Sequence, residues 1–533
     1  MTAEAAAKPG GTREPALWPA ILLATLAGGI ARAAPVLAAG FPVNDGGLFA
    51  SFIDAILAGP QLLPELITYN GLNAPFAYPP LAFLATAGLE RLLPIATVEW
   101  LRWIPLVASI ATIPAFFLLA LELAPTRVHA AIATFAFALV PRSFEWLVMG
   151  GGLARAPGML LAIVAVYLGA RFLRRGDRSW LGAGIALGLA VLTHPDAGLF
   201  AALSLVLLSL AYARGRRAWP RVIAAAAVGV IVTLPWLVVV IAQHGIAPLV
   251  SAAGGRANLP ESLYYLFTAR LTDEPFWMLT AGLAVLGFVY SLSARRYFVP
   301  VWAVALVIAD APAGGTYASV PLAVLAAIGL LDVVVARLVR VGGEIASAPG
   351  WPAVMLRSRG ASLILAGSLV FAMLSAFLAP YVLSPMASLD VDARAAMAWA
   401  RTSLPSSARV VVVTGRPWYE DAVSEWFPYL AGRRSVATVQ GFEWMGASAW
   451  QAQLNASAAL QSRASDTVTS LEDWSLTYRV EYDYVYLPKG PLGGVDSGPD
   501  CCTALRQTLR ESGAYEIVYD GQGATIARRR SSA

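Results

Sequence analysis

The stretch FPVNDGGLFASF, residues 41–52, directly follows the first long apolar run of the chain. It places Asn44, Asp45 and two glycines where a membrane-crossing helix would reach the surface. A carboxylate at that depth loses hydration, so it is costly unless a ligand or a helix terminus needs its charge. The stretch therefore predicts either a functional site or an N-cap, in which Asn44 or Asp45 accepts hydrogen bonds from the free amides of the next helix.

The composition is typical of a polytopic membrane protein. Of the 533 residues, 58% are apolar and only 13% are charged. The net charge of +5 comes from arginines in short clusters between apolar runs, a pattern that reports topology and argues against nucleic-acid binding. The two cysteines, Cys501 and Cys502, are neighbours that pair only through a strained ring. We therefore expect neither a structural disulfide nor a metal site there.

Twelve apolar runs are long enough to cross, or nearly cross, a bilayer. They lie near 17–39, 78–94, 103–121, 128–147, 157–172, 179–193, 197–213, 221–241, 276–292, 298–309, 316–336 and 361–380. The arginine clusters that should remain cytoplasmic lie at 171–178, 214–217, 293–296 and 337–359. This alternation places His194 and everything after about residue 381 outside, and it predicts a multi-pass protein of the cell membrane.

One early run cannot cross if the N-terminus and residues 171–178 are both inside, because five runs precede that cluster. The best candidate is 78–94, which starts at a proline pair and carries Glu90 and Arg91 near its end. The next candidate is 128–147, which contains Glu145. A segment that does not cross must have its backbone covered by protein, which suits the lining of a cavity.

The pattern changes after residue 383. Amphipathic helices at 390–404 and 501–513 and apolar strands at 408–414, 481–488, 515–520 and 524–529 predict a soluble α/β domain over 384–533. The predicted fold is therefore mainly α: a transmembrane module of about 11–13 helices at 1–383, with an outer loop at 40–80, followed by an extracytoplasmic α/β domain.

The order of features after the first helix resembles the GT-C superfamily of membrane glycosyltransferases. An acidic residue, a surface helix with an apolar stripe and the entry Tyr78-Pro-Pro into the next run follow one another. The stretches GGGLARAPGMLL, GLAVLTHPDAGLF and EWFPYLAGRRSVATVQGFEW are similar to prokaryotic members that have a C-terminal extracytoplasmic domain. The resemblance implies transfer of a sugar from a polyprenyl-phosphate donor to an outer glycan, lipid or protein acceptor, with inversion at the anomeric carbon.

The resemblance also implies roles for individual residues. Asp45 matches the acidic residue of the first outer loop and would act as general base or orient the acceptor hydroxyl. The departing phosphate needs positive charge or donors, for which the candidates are Arg155 first, then Arg142 and His194. The substrate-binding candidates are Asn44, Asn70, Tyr78, Glu145 and Asp196. The acceptor candidates are Glu443 and Trp444.

Each of these residues also has a structural interpretation. Arg155 could meet lipid phosphate at the membrane interface. The turn at His194 could simply break one helix, with Asp196 capping the next, and Trp444 could pack against the membrane module.

No cofactor is required by the sequence. Several members of the superfamily carry a second acidic residue where this chain has Arg155 and Ala156, so we assign no metal ligands. A divalent cation, Mg²⁺ or Mn²⁺, is left open. Two other classes of function also fit the pattern: a non-catalytic membrane scaffold that binds lipids or glycans, and a transporter with polar residues at helix breaks.

Overall fold

The computed structural model describes residues 17–214, 218–253, 259–268, 270–338, 359–382, 386–462, 466–490 and 501–530. The helices of its first part are α1 (Trp18–Ala39), α2 (Gly47–Ala58), α3 (Leu81–Leu92), α4 (Thr97–Leu123), α5 (Arg127–Leu139), α6 (Gly152–Arg175), α7 (Trp180–Thr193), α8 (Pro195–Tyr212), α9 (Ala218–His244), α10 (Ala247–Ala253), α11 (Leu259–Thr268), α12 (Leu279–Ser293), α13 (Phe298–Ala309), α14 (Ala311–Ile328) and α15 (Arg359–Val382). After Ile328, α14 continues through a π-helical turn, Gly329–Val335, to Leu338.

Seven helices within the described ranges are long and apolar enough to cross a membrane, and five shorter ones are also apolar. The seven are α1, α4, α6, α8, α9, α14 with its continuation, and α15. The prediction of a mainly helical, multi-pass membrane protein is confirmed. The run at 128–147 was predicted too long, because α5 ends at Leu139 and Pro141 begins a tight 3₁₀ turn.

The residues after 386 form an α/β unit. Its helices are α16 (Val391–Ser403), α17 (Ala422–Ala431), α18 (Ala447–Ser462), α19 (Val468–Tyr478) and α20 (Thr503–Glu511). Its strands are β3 (Arg409–Val412), β4 (Arg434–Ser435), β5 (Tyr484–Pro488), β6 (Tyr515–Asp520) and β7 (Ala524–Arg529), in the sheet order β4-β3-β5-β7-β6. β3 is parallel to β4 and β5, whereas β7 is antiparallel to β5 and β6. The predicted boundary at 383/384 lies outside the described residues.

The expectation of no disulfide is wrong, since Cys501 and Cys502 are bonded to each other just before α20. Cys502 has a left-handed backbone, with φ of +63°. The sulfur atoms of Cys501 and Cys502 lie 3.8 and 3.7 Å from the carbonyl oxygen of Val413, the residue that follows β3.

A short hairpin stands between α2 and α3. Its strands are β1 (Leu66–Tyr69) and β2 (Leu72–Pro75), which pair antiparallel. Asn70 and Gly71 have φ of +55° and +69°, as a two-residue hairpin turn requires. This hairpin is not among the predicted elements, although Asn-Gly is its strongest local signal.

The hairpin, α2 and the α/β unit share one hydrophobic core, in which Phe52 and Ile67 pack with Trp426 and Phe427. We call these three parts the cap layer. Because its core is continuous, the cap layer holds the loop at residues 41–46 between itself and the membrane helices.

The segment that leads into α3 and the last turn of α3 both contact the cap layer. At its start, the Tyr78 ring centroid lies 5.6 Å from that of Trp444. At its end, Arg91 Nη2 donates to the Ile56 carbonyl of α2 at 3.0 Å. Its 12 residues also span only about 18 Å, against about 30 Å for a bilayer core.

Candidate active site

Asp45 and Arg155 form an ion pair where the loop before α2 meets the first turn of α6. Arg155 Nη2 lies 2.5 Å from Asp45 Oδ2, and the Gly151 N–H donates to Asp45 Oδ1 at 2.7 Å. Arg155 Nη1 also donates to the Trp146 carbonyl at 3.2 Å. The two side chains of the pair are 21% and 23% exposed, so a ligand can reach them. The structure thus joins two predicted site residues that are 110 positions apart.

The glycine triplet at 150–152 allows this approach. The Gly150 N–H donates to the Val43 carbonyl at 2.9 Å, and a Cβ on Gly150 would overlap the Asp45 carbonyl oxygen. A Cβ on Gly151 would lie 2.5 Å from Asp45 Oδ2 and 2.7 Å from Arg155 Nη2. The triplet therefore lets the two backbones touch and leaves room for the ion pair.

The N-terminus of α2 is capped by Glu425 of α17. The Glu425 carboxylate accepts from the N–H groups of Gly46, Gly47 and Leu48 at 3.1, 2.9 and 3.0 Å. The alternative in which Asn44 or Asp45 caps α2 is therefore wrong, since the N-cap residue is Gly46 and no neighbouring side chain caps it. Burial, reinforced by the nearby Asp45 charge, raises the pKa of Glu425 to about 7 despite its three donors.

Asn44 and Asn70, both predicted to bind substrate, are hydrogen-bonded to the α/β unit. The Asn44 side-chain amide donates to the Tyr419 carbonyl at 2.9 Å, and the main-chain carbonyl of Asn44 accepts from Trp426 Nε1 at 2.8 Å. The Asn70 side chain both donates to and accepts from the Ser435 backbone, at 2.8 and 2.6 Å. Both residues are buried, so these polar atoms are occupied by protein partners.

Tyr78, His194 and Asp196 form a second group of predicted site residues near Arg155. The rings of Tyr78 and His194 are 6.2 Å apart, and His194 Nδ1 is 3.8 Å from Asp196 Oδ2. Burial raises the pKa of Tyr78; Arg155 opposes this rise, while Asp196 and Asp45 add to it. Tyr78 therefore lies within electrostatic range of Arg155, Asp196 and Asp45, and these five residues form one cluster.

Arg142 belongs to a second charged group that adjoins the first through Trp146. Its Nη1 lies 2.8 Å from Asp273 Oδ2 and 3.7 Å from Glu145 Oε1. The guanidinium groups of Arg142 and Arg155 lie 6.0 and 5.7 Å from the Trp146 ring. Burial and the nearby Asp273 raise the pKa of Glu145. Burial acts in the same direction on Asp273, but its hydrogen bonds with Glu145 and Arg142 outweigh burial and hold the pKa of Asp273 below its usual value.

The fold of the chain is similar to that of several solved proteins. No family model and no curated protein matches the chain. ArnT from Cupriavidus metallidurans in the apo state has a TM-score of 0.56 at 14% identity, covering 97% of this chain and 98% of ArnT. Arabinofuranosyltransferase AftD from Mycobacteria has a TM-score of 0.53 at 16% identity, covering 97% of this chain and 40% of AftD.

A third similar structure is the archaeal oligosaccharyltransferase AglB from Archaeoglobus fulgidus, in complex with an inhibitory peptide and a dolichol-phosphate. Its TM-score is 0.51 at 13% identity, covering 88% of this chain and 69% of AglB. ArnT bound to undecaprenyl phosphate also matches, with a TM-score of 0.51. All three proteins have the GT-C architecture. The chain has a GT-C fold.

In this GT-C fold, Glu443 and Trp444 pack inward. Trp444 is only 5% exposed and contacts Tyr78, so its ring face is covered by protein, as the packing alternative expected. Glu443 accepts from the Gly441 N–H at 2.8 Å, and burial raises its pKa to about 7. Glu443 and Trp444 therefore belong to the region in which the cap layer contacts Tyr78.

Within the described ranges of this GT-C fold, no group of three or more His, Cys, Asp or Glu side chains is placed to hold a metal ion. A further AglB structure, with a TM-score of 0.50, contains Zn and sulfate. The Asp45 carboxylate contacts Arg155, whereas the Asp196 carboxylate lies 3.8 Å from His194 Nδ1.

Proposed function

We propose that this protein is a glycosyltransferase that moves a sugar from a polyprenyl-phosphate donor to an acceptor hydroxyl at the Asp45–Arg155 site. The observation that carries the proposal is the partly exposed ion pair, held by the Gly151 N–H at the start of a membrane helix. A fixed carboxylate and a fixed guanidinium in contact are the two groups that this reaction needs.

Arg155 would bind the donor phosphate. It lies in the first turn of α6, where the helix dipole favours an anion. ArnT and AglB, which share the fold, have been solved with undecaprenyl phosphate and dolichol-phosphate. The incoming phosphate would replace Asp45 as the partner of Arg155 and free the carboxylate for the acceptor. His194 and Arg142 would supply further donors to the phosphate.

The proposed reaction is a direct displacement. The acceptor oxygen forms a bond to the anomeric carbon, the bond from that carbon to the phosphate oxygen breaks, and polyprenyl phosphate leaves with the electron pair. Asp45 takes the hydroxyl proton or orients the hydroxyl, and attack from the opposite face inverts the anomeric carbon. Tyr78 and Asp196 would line the sugar subsite. The acceptor is a glycan, a lipid or a protein, and a divalent cation, Mg²⁺ or Mn²⁺, is left open.

The site and the cap layer would face the extracytoplasmic side. With α3 as the run that does not cross, an N-terminus inside and alternating crossings would leave the arginine clusters at 171–178 and 293–296 inside. Asp45, His194 and the α/β unit would then lie outside, where the sugar would be transferred.

The test compares Asp45→Asn and Arg155→Gln with a control, Asp473→Asn, on the exposed surface of α19. The full chain is purified in nanodiscs, and the lipid that co-purifies is identified by mass spectrometry. Binding of undecaprenyl phosphate is then measured. Release of this lipid from a set of undecaprenyl-phosphate-linked pentoses and hexoses is measured in the presence of glycan, lipid and peptide acceptors. We expect Asp45→Asn to lower release by about 100-fold or more, with lipid binding retained.

Arg155→Gln should instead weaken undecaprenyl phosphate binding by about 10-fold or more, since a charge-assisted hydrogen bond is lost. The control should match the wild type in both measurements. Release by Asp45→Asn at the wild-type rate would refute the assignment of Asp45. Lipid binding without release by the wild type would favour the scaffold, and transport of lipid that survives Asp45→Asn would favour the transporter.

A further inference from the structure

The backbone on both sides of Asp45 is held by the cap layer rather than by the membrane helices alone. Before Asp45, the Asn44 N–H donates to the Ala387 carbonyl at 2.6 Å, and the Asn44 carbonyl accepts from Trp426 Nε1. After it, three consecutive N–H groups donate to Glu425. The candidate catalytic carboxylate thus lies between two anchors that come from residues more than 300 positions away in the chain.

Glu425 is the central anchor. It is 2% exposed, so its carboxylate has lost most of its hydration and depends on the three amides for compensation. Those amides are the free donors at the N-terminus of α2, and Gly46 has no side chain with which to replace Glu425. Its φ of +139° also gives the turn a conformation that other residues rarely adopt. The Glu425 carboxylate and the three amides therefore satisfy each other's hydrogen-bonding capacity. Within residues 41–46, no other carboxylate accepts from these amides.

We propose that Glu425 is a positioning residue for the transfer reaction: through the amides of Gly46, Gly47 and Leu48 it sets the place of Asp45 opposite Arg155. This inference rests on the proposed function. The α/β unit then completes the active site, because one of its buried side chains fixes the loop that carries the catalytic carboxylate. Glu425 itself contacts neither the donor nor the acceptor.

The geometry indicates why a small loss of position matters. Asp45 Oδ1 accepts from the Gly151 N–H at 2.7 Å, so a displacement of about 1 Å takes this contact beyond hydrogen-bond range. A misplacement of about 1 Å at a reacting group lowers turnover by about 100-fold. Loss of the hydrogen bonds from Gly46, Gly47 and Leu48 to Glu425 should therefore lower turnover by about 10- to 100-fold. It should leave substrate binding at Arg155 nearly unchanged.

The test uses the full chain in nanodiscs with Glu425→Gln, Glu425→Asp and a control, Glu516→Gln, which lies on the exposed sheet face. Hydrogen–deuterium exchange is measured for the peptide that contains residues 46–48 and for the β3 peptide. Turnover is measured with the undecaprenyl-phosphate-linked sugars, and binding with undecaprenyl phosphate alone. We expect Glu425→Gln to exchange at least 10-fold faster at residues 46–48, with β3 unchanged, and to lose turnover without loss of lipid affinity.

Glu425→Asp keeps the charge on a side chain one methylene shorter, so it should recover part of both the protection and the turnover. It also provides the measurement if Glu425→Gln folds poorly. Wild-type turnover in Glu425→Gln, with or without faster exchange, would overturn the positioning role while leaving an inactive Asp45→Asn to support the proposed function. Equal loss of protection in β3 would also overturn it, since Glu425 would then stabilise the whole cap layer. Full activity of Asp45→Asn would instead refute the proposed function itself.

Discussion

Gly151→Ala should inactivate the site while leaving the fold in place. Gly151 precedes α6 with φ of −65°, so alanine adopts its backbone conformation without strain. The added methyl group would lie 2.5 Å from Asp45 Oδ2 and 2.7 Å from Arg155 Nη2. The substitution therefore tests the ion pair through a single carbon atom and changes no charge.

The size of the effect follows from these distances. Ordinary contact needs about 3.4 Å, so each atom of the ion pair must move by about 0.7 to 0.9 Å. Both atoms are at the ends of flexible side chains, so the free energy of unfolding should fall by only about 1 kcal/mol. The same displacement at the reacting carboxylate should lower turnover by about 100-fold.

The assay is release of undecaprenyl phosphate from its linked sugars, with thermal unfolding measured on the same preparation. Gly88→Ala is the matched control, because Gly88 lies in α3 and a Cβ there meets nothing within 4 Å. It should keep wild-type turnover and gain up to about 1 kcal/mol of stability. Wild-type turnover in Gly151→Ala would refute the contact between Asp45 and Arg155 as the working geometry.

Three further predictions concern stability and are checked by thermal unfolding in detergent. Asn70→Ala removes both hydrogen bonds to Ser435 and places alanine at a positive φ, so it should cost about 1 to 3 kcal/mol; an unchanged Tm would contradict the hairpin clamp. Arg32→Met leaves the buried acceptors of the Arg32 guanidinium unpaired and should cost about 3 to 5 kcal/mol, whereas a rise in Tm would show that the charge itself is the larger cost. Burial raises the folded pKa of Glu425 and Glu443 to about 7, so the folded state binds more protons than the unfolded state between pH of about 4.5 and 7. Stability should therefore fall as pH rises through this window, by about 3 kcal/mol for Glu425, and the slope should shrink in Glu425→Gln.

The membrane helices were predictable because hydropathy is a local property. Most apolar runs correspond to helices of nearly the same bounds, and α3 ends at Glu90-Arg91-Leu92 as its charges suggested. The end of α5 was the main error, since Pro141 stops the helix while apolar residues continue beyond it. In the α/β unit, β4 was missed, because a strand of two residues has no period to detect.

Asp45 and Arg155 were assigned to one site through a resemblance, because no local pattern links residues so far apart. The hydrogen bonds by which Glu425 caps the N-terminus of α2 were missed for the same reason. One signal was present: α2 begins at glycines, which offer no side-chain acceptor, so its amides needed a partner from elsewhere. Asn70 was predicted as a substrate-binding residue, while the hairpin turn that the Asn-Gly pair specifies was not predicted.

The two arginines that adjoin Trp146 differ in the carboxylates around them. Arg142 has two carboxylate neighbours, Asp273 and Glu145, and its side chain is 15% exposed. Arg155 has one carboxylate in contact, Asp45, and is 23% exposed. A phosphate that approaches Arg142 must overcome the repulsion of Asp273, whose low pKa keeps it ionised, whereas one that approaches Arg155 displaces only the carboxylate that the reaction then uses. This difference supports Arg155 as the first phosphate contact and makes release of Asp45 a consequence of donor binding.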